Sequence, residues 1–183
     1  VTKDKEGGYS VSVSNEVDEA TSDVAQLKVL IKPSIKIQLG EGEVVEGGKY
    51  EFKVKAEGTP PFEYRWYRNR NLLNEWNKES TLILEDVTEE DAGEYLVKVK
   101  NETKEIAEDK VELQVLVPPK VIMQPSVMKA LVGEDVTFTI TAKGTPTLTY
   151  RWFKDGVPKT GWSQKPTLEL QDVKPADAGD YWV

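Results

Sequence analysis

Apolar and polar residues alternate along this chain in short runs. Tyr50, Phe52, Val54 and Ala56 alternate with Glu51, Lys53 and Lys55. Tyr95, Val97 and Val99 alternate with Glu94, Lys98 and Lys100, and Val111, Leu113 and Val115 repeat the pattern. A period of two with charges between predicts strands buried on one face. Tyr64 and Trp66 mark another strand, Leu82 and Leu84 a further one, Val44-Val45 a short piece, and Ser34 to Leu39 an edge strand after Pro33. Trp76 is expected in a weak strand or the loop before it. Turns fall at Glu41-Gly42-Glu43, Gly47-Gly48, Gly58 to Pro61, Arg68 to Asn71, Asp86 to Ala92 and Asn101 to Ala107. About seven short strands with regular turns, and no helical pattern beyond one turn, predict two packed sheets. The expected inward set is Tyr50, Phe52, Val54, Tyr64, Trp66, Leu82, Leu84, Val87, Tyr95, Val97, Leu113 and Val115.

The pattern repeats every 86 residues. Trp66 recurs as Trp152, Gly47 as Gly133, Gly58-Thr59-Pro60 as Gly144-Thr145-Pro146, and Asp91-Ala92-Gly93-Glu94-Tyr95 as Asp177-Ala178-Gly179-Asp180-Tyr181. The phase extends back to Gly7-Gly8-Tyr9. Such self-similarity is the sequence mark of an array. It predicts the final strands of one unit in residues 1–32, a complete unit in 33–118, and a third unit in 119–183 that stops near its penultimate strand. Val1 to Val11 and Val173 to Val183 share one phase. The chain is therefore expected either to be a window on a longer polymer or to complete a neighbour head to tail. The joints, Ile31-Lys32-Pro33 and Val117-Pro118-Pro119, are short and hold Pro, which predicts stiffness.

Composition narrows the chemistry. The chain has 183 residues, no Cys and no His, and a net charge of -8. Without His or thiolate, the usual bases, nucleophiles and zinc ligands are missing, so no enzyme, metal or cofactor is expected. The acidic balance argues against nucleic acid. No apolar run approaches the roughly 20 residues of a membrane helix, and no membrane contact is expected.

The Trp on the third strand and the Asp-x-Gly-x-Tyr run carry a resemblance. Asp91-Ala92-Gly93-Glu94-Tyr95-Leu96-Val97 and Asp177-Ala178-Gly179-Asp180-Tyr181-Trp182-Val183 resemble the intermediate-set (I-set) immunoglobulin family, with a degenerate copy at Lys5 to Val11. The resemblance implies an all-β fold of tandem immunoglobulin-like sandwiches. It places Trp66, Trp152, Tyr9, Tyr95 and Tyr181 in the structural cores, with the three tyrosines at tyrosine corners. Val54 with Val97, and Ile140 with Val183, occupy the positions of the family's two cysteines. The Lys/Glu-rich style resembles the intracellular domains of giant muscle proteins of the titin, twitchin and stretchin type. That likeness implies a cytoplasmic, sarcomeric scaffold on thick filaments. Its implied partners are myosin or other filament proteins and neighbouring immunoglobulin domains. The alternative is an extracellular adhesion or receptor ectodomain.

Surface candidates are few. Trp182 sits at an outward strand position, and Lys53, Lys55, Lys98 and Lys100 line outer faces, where a cationic surface could meet an acidic partner. Trp76 and Trp162 match across the repeat and are expected to pack at core edges. Glu89, Glu90 and Asp91 read as a solvated turn, and Gly40-Glu41-Gly42-Glu43 lacks the spacing of a phosphate loop. Asn101-Glu102-Thr103 matches the N-glycosylation sequon in a hairpin turn where a glycan is sterically possible, a short three-residue match that only a secreted protein could use.

Overall fold

The computed structural model describes residues 2–37, 42–123 and 127–183. Gln38 to Glu41, where the first edge strand was expected to end and turn, lie outside the described residues. The chain is an all-β immunoglobulin-like sandwich protein. It divides into two compact units. One holds Val1–Gly42, Lys49–Glu85 and Asp91–Gln114, and the other Glu43–Gly48, Asp86–Glu90 and Val115–Val183.

Four short strands open the chain: β1 (Gly7–Tyr9), β2 (Ser12–Ser14), β3 (Glu19–Thr21) and β4 (Ala25–Leu27). β1 pairs with β4 and β2 with β3, both antiparallel. Next come β5 (Ser34–Ile37), β6 (Gly42–Val45), β7 (Tyr50–Lys53), β8 (Lys55–Glu57), β9 (Glu63–Arg68), β10 (Asn71–Leu72), β11 (Thr81–Leu84), β12 (Gly93–Lys100) and β13 (Ile106–Leu116). One layer is built from β5 with β8 and β7 with β11. In the other, β12 lies between β9 and β13, and β10 pairs with β9. The alternation read from the sequence explains why each layer buries one face against the other.

That core holds Phe52, Val54, Tyr64, Trp66, Tyr95, Val97, Val99 and Leu113, all buried, with Trp66 at 0% exposure. Phe52, on β7, reaches across the layers. Its ring centroid is 6.0 Å from Trp66 on β9 and 4.4 Å from Tyr95 on β12. Trp66 is the register partner of Val97. Val99 joins the expected inward set, whereas Tyr50, Leu82, Leu84 and Val115 are only half-buried.

The second unit repeats the plan. It contains β14 (Lys120–Met123), β15 (Val136–Thr139), β16 (Thr141–Lys143), β17 (Phe153–Lys154), β18 (Val157–Pro158), β19 (Thr167–Leu170) and β20 (Tyr181–Trp182). β14 pairs with β16 and β15 with β19, while β17 lies between β18 and β20. Its core is Ile140, Trp152 and Leu168, with Phe138, Tyr150, Leu170, Tyr181 and Val183 packed against it. Phe138 lies 6.1 Å from Trp152 and 4.8 Å from Tyr181, close to the geometry of Phe52, Trp66 and Tyr95. Val87 is buried, and its backbone exchanges hydrogen bonds with the Gly47-Gly48 turn, as Val173 does with Gly133 and Glu134.

A tyrosine corner recurs three times. The hydroxyl of Tyr95 donates to the Asp91 carbonyl at 2.9 Å, that of Tyr181 to Asp177 at 2.8 Å, and that of Tyr9 to Lys5 at 2.8 Å. Each is four residues back, so the bond closes the loop that feeds the strand. Tyr9 nevertheless departs from the expectation of a core residue, with 51% exposure. Apart from Gly7, every residue of β1–β4 is exposed, so among the described residues no layer covers the ring. Gly93 enters β12 at φ 135°, and a Cβ there would strike the Asn69 side chain, which caps Glu94. Only Gly satisfies both demands.

Replacing Trp66 with Ala is expected to cost about 3–5 kcal/mol, because the cavity opens at the contact between layers. Urea unfolding measures this. A loss below about 1 kcal/mol, the size of an ordinary surface substitution, would remove Trp66 from the centre of the core.

Candidate interaction surfaces and the joint

The four lysines read from the sequence do not form one surface. Lys53 lies on β7 and Lys55 on β8, both exposed, whereas Lys98 and Lys100 lie on β12 in the other layer. The latter two are also engaged. Lys98 pairs with Glu108 at 3.4 Å and sits 5.7 Å from the Tyr67 ring centroid. Lys100 pairs with Glu63 at 3.0 Å and sits 4.5 Å from the Trp76 ring. Arg65 lies 5.0 Å from the same indole and is ion-paired with Glu75. Exposed ion pairs contribute at most about 1 kcal/mol each, and cation–π contacts a similar amount. This face is therefore a lattice of matched charges around two aromatic rings, not a field of free cations.

Trp76 is half-buried through those contacts and belongs to no strand. Its repeat partner Trp162 departs from the expected core-edge packing, with 69% exposure. Arg151, the counterpart of Arg65, lies over Phe153 at 5.5 Å instead. Trp182 is 48% exposed and stacks on its register partner Phe153, with centroids 3.8 Å apart and planes 4° from parallel. The alternation of β20 showed that Trp182 points outward. Its stacking partner, 29 positions away, was not evident from the sequence.

A polar node lies at the corner of β12. Arg68 donates to the Asp91 carboxylate at 2.6 Å, and Asp91 supplies the carbonyl that Tyr95 binds. Burial pushes the Tyr95 phenol above its ordinary value, an effect only partly offset by the Arg68 guanidinium. Lys154 occupies the place of Arg68 in the repeat and pairs with Asp155 at 2.9 Å, which holds the Asp155 carboxyl below its usual range. Among the described residues, no group of three or more His, Cys, Asp or Glu side chains is placed to hold a metal.

The joint is held by reciprocal hydrogen bonds. Thr59 receives the Ile31 N–H on its hydroxyl at 2.8 Å and returns its own N–H to the Ile31 carbonyl at 3.0 Å. Thr145 does the same for Val117, at 2.7 and 2.8 Å. Gly58 is required beside it, since a Cβ would lie 2.6 Å from the Lys32 carbonyl oxygen. Asn101 completes the first clasp, with its amide donating to the carbonyls of Ile31 at 2.7 Å and Thr59 at 2.8 Å. It is 7% exposed, so the sequon expected to leave room for a glycan is closed. The sequence pattern could not reveal this, because the partners lie 70 and 42 residues away.

Comparison with known proteins gives the class. Residues 33–115 match the immunoglobulin I-set domain and residues 118–183 the immunoglobulin domain. The chain belongs to the immunoglobulin domain family and is a tandem member of it. It is 28% identical over 162 residues to the human netrin receptor DCC, covering 82% of this chain and 11% of that protein. It is 32% identical over 191 residues to mouse hemicentin-2, covering 96% of this chain and 4% of that protein. The chain thus spans a small part of these relatives. A three-domain I-band fragment of titin, I67–I69, superposes with a TM-score of 0.79 at 25% identity, covering 99% of this chain and 69% of that one.

These relatives overturn the muscle reading. The titin likeness is one of architecture, and the sequence relatives include a netrin receptor and no sarcomeric protein among those named here. The expected sarcomeric location, filament partners and absence of membrane contact are therefore withdrawn. The Lys/Glu-rich style misled for a physical reason. Surface charge bears on solubility and association and does not report where the protein resides.

Replacing Tyr95 with Phe is expected to cost about 1 kcal/mol at neutral pH, the worth of its bond to Asp91. The folded state holds the phenolic proton more tightly than the unfolded chain. Its contribution is therefore intact below pH of about 10, the unfolded value, and is lost as pH rises through the folded value. Urea unfolding across that range should show a shallower alkaline decline in the variant. Coincident alkaline slopes would mean that Tyr95 carries no shift.

Proposed function

We propose that this chain is a stretch of an extracellular or cell-surface ectodomain, a receptor or adhesion array of immunoglobulin-like domains. The observation that carries this reading is the alignment with the netrin receptor DCC over 82% of the chain. In this reading the organisation is the closing strands of one domain in 1–32, a complete domain in 33–118 and a further domain from 119. The cores around Trp66 and Trp152 are structural, with Val54, Val97, Ile140 and Val183 in place of cysteines. The task of the array is to present binding faces to other proteins. Its partners are proteins, and a membrane lies at one end of the parent molecule.

Antibodies raised against the chain test this on cells that express the parent protein. Staining of intact, unpermeabilised cells is expected, with removal of the signal by external protease. Staining that appears only after permeabilisation would defeat the reading.

A further inference from the structure

Asn101-Glu102-Thr103 has the sequence of a glycan acceptor and the geometry of a clasp. The Asn101 side-chain nitrogen has two hydrogens, and both are committed, to Ile31 and Thr59. Its oxygen accepts from the Thr103 N–H at 3.1 Å and from the Thr103 hydroxyl at 2.6 Å. Both sequon side chains that a glycosyl transfer must engage are thus occupied, at a site 7% exposed. Transfer would form a bond from Asn101 Nδ2 to C1 of the first sugar. The bond from that carbon to the diphosphate of a polyprenyl-linked oligosaccharide would break, Nδ2 would lose one proton, and the lipid diphosphate would leave. One hydrogen of the clasp would be consumed, and a saccharide would stand where Ile31 and Thr59 now meet.

We propose that Asn101 is a gated N-glycan acceptor and that the joint is its gate. The sugar and the docked Ile31–Thr59 pair are alternatives. The acceptor is shut while the joint is docked and opens when the joint releases. Once modified, the joint cannot re-dock, so glycosylation fixes it in the loose state. The gate can open locally, because Ile31 is 42% exposed and Lys32 is exposed, while the aromatic core lies elsewhere. The cellular setting rests on the ectodomain reading, but the gating chemistry does not.

The test uses a purified single-subunit oligosaccharyltransferase with its lipid-linked oligosaccharide and intact-mass readout. The substrates are the folded chain, a synthetic peptide of residues 96–108 as the open reference, and Thr59→Ala. Asn101→Gln assigns the mass shift. The peptide and Thr59→Ala should be modified at least about tenfold faster than the folded wild type, the factor expected for releasing one to two hydrogen bonds. Ile31→Pro removes the N–H that Thr59 accepts, and serves if Thr59→Ala fails to fold. Exchange of the backbone amide at position 59 should be faster in the glycosylated than in the unmodified variant. A folded wild type modified as fast as the peptide would overturn the proposal. So would folded Thr59→Ala and Ile31→Pro chains as inert as wild type. Purely intracellular staining of the parent protein would count against the ectodomain reading and leave this outcome unchanged.

Discussion

The contact of one phenylalanine with a tryptophan and a tyrosine across two layers is what the rest of this molecule depends on. Phe52 touches both Trp66 and Tyr95, and those two lie on paired strands, β9 and β12. Closing the layers therefore fixes the register of the sheet at the same time. Offset and tilted aromatic contacts of this kind add about 0.5–1.5 kcal/mol beyond the area they bury. The same three positions recur in Phe138, Trp152 and Tyr181. A sulfur bridge would add a constraint on the unfolded chain, but the folded geometry does not require one.

From that contact the surface follows. Tyr95 is at once a core ring and the end of a corner bond, so its side chain ties the loop before β12 to the core. Arg68, one strand over, reaches back to the same loop through Asp91. The outer side of the sheet is then filled by charges that answer one another, with Trp76 between Arg65 and Lys100. A face so internally satisfied offers few unspent charges to an incoming protein. Specificity would have to come from shape and from the aromatic rings.

Much of this was legible in the sequence because it is periodic. The alternation at Tyr50 to Ala56, at Tyr64 and Trp66, and at Tyr95 to Val99 placed the strands and put Trp66 in the core. The shift of 86 residues carried that reading from one copy to the next. What stayed hidden depends on partners distant in the chain. Trp76 and Trp162 stand at one phase, yet one is held by cations and the other is open to solvent. Tyr9 keeps its corner bond but has no covering layer. Asn101 looked like a free turn residue because its three-residue motif says nothing of Ile31 or Thr59. The compartment was misread because composition reports surface charge and redox liability, neither of which follows from where a core of hydrocarbon is used.

The clasp at Thr59 and Thr145 bears on how such arrays grow. Each threonine lies downstream of the residue it grips, so a stretch copied from Ile31 through Leu116 carries both halves of its own fastening. A tandem duplication of that stretch inherits a finished coupling and needs no compensating change in its new neighbour. Lengthening by descent is therefore easy for this architecture, and the near-identity of the two clasps is what copying would leave behind.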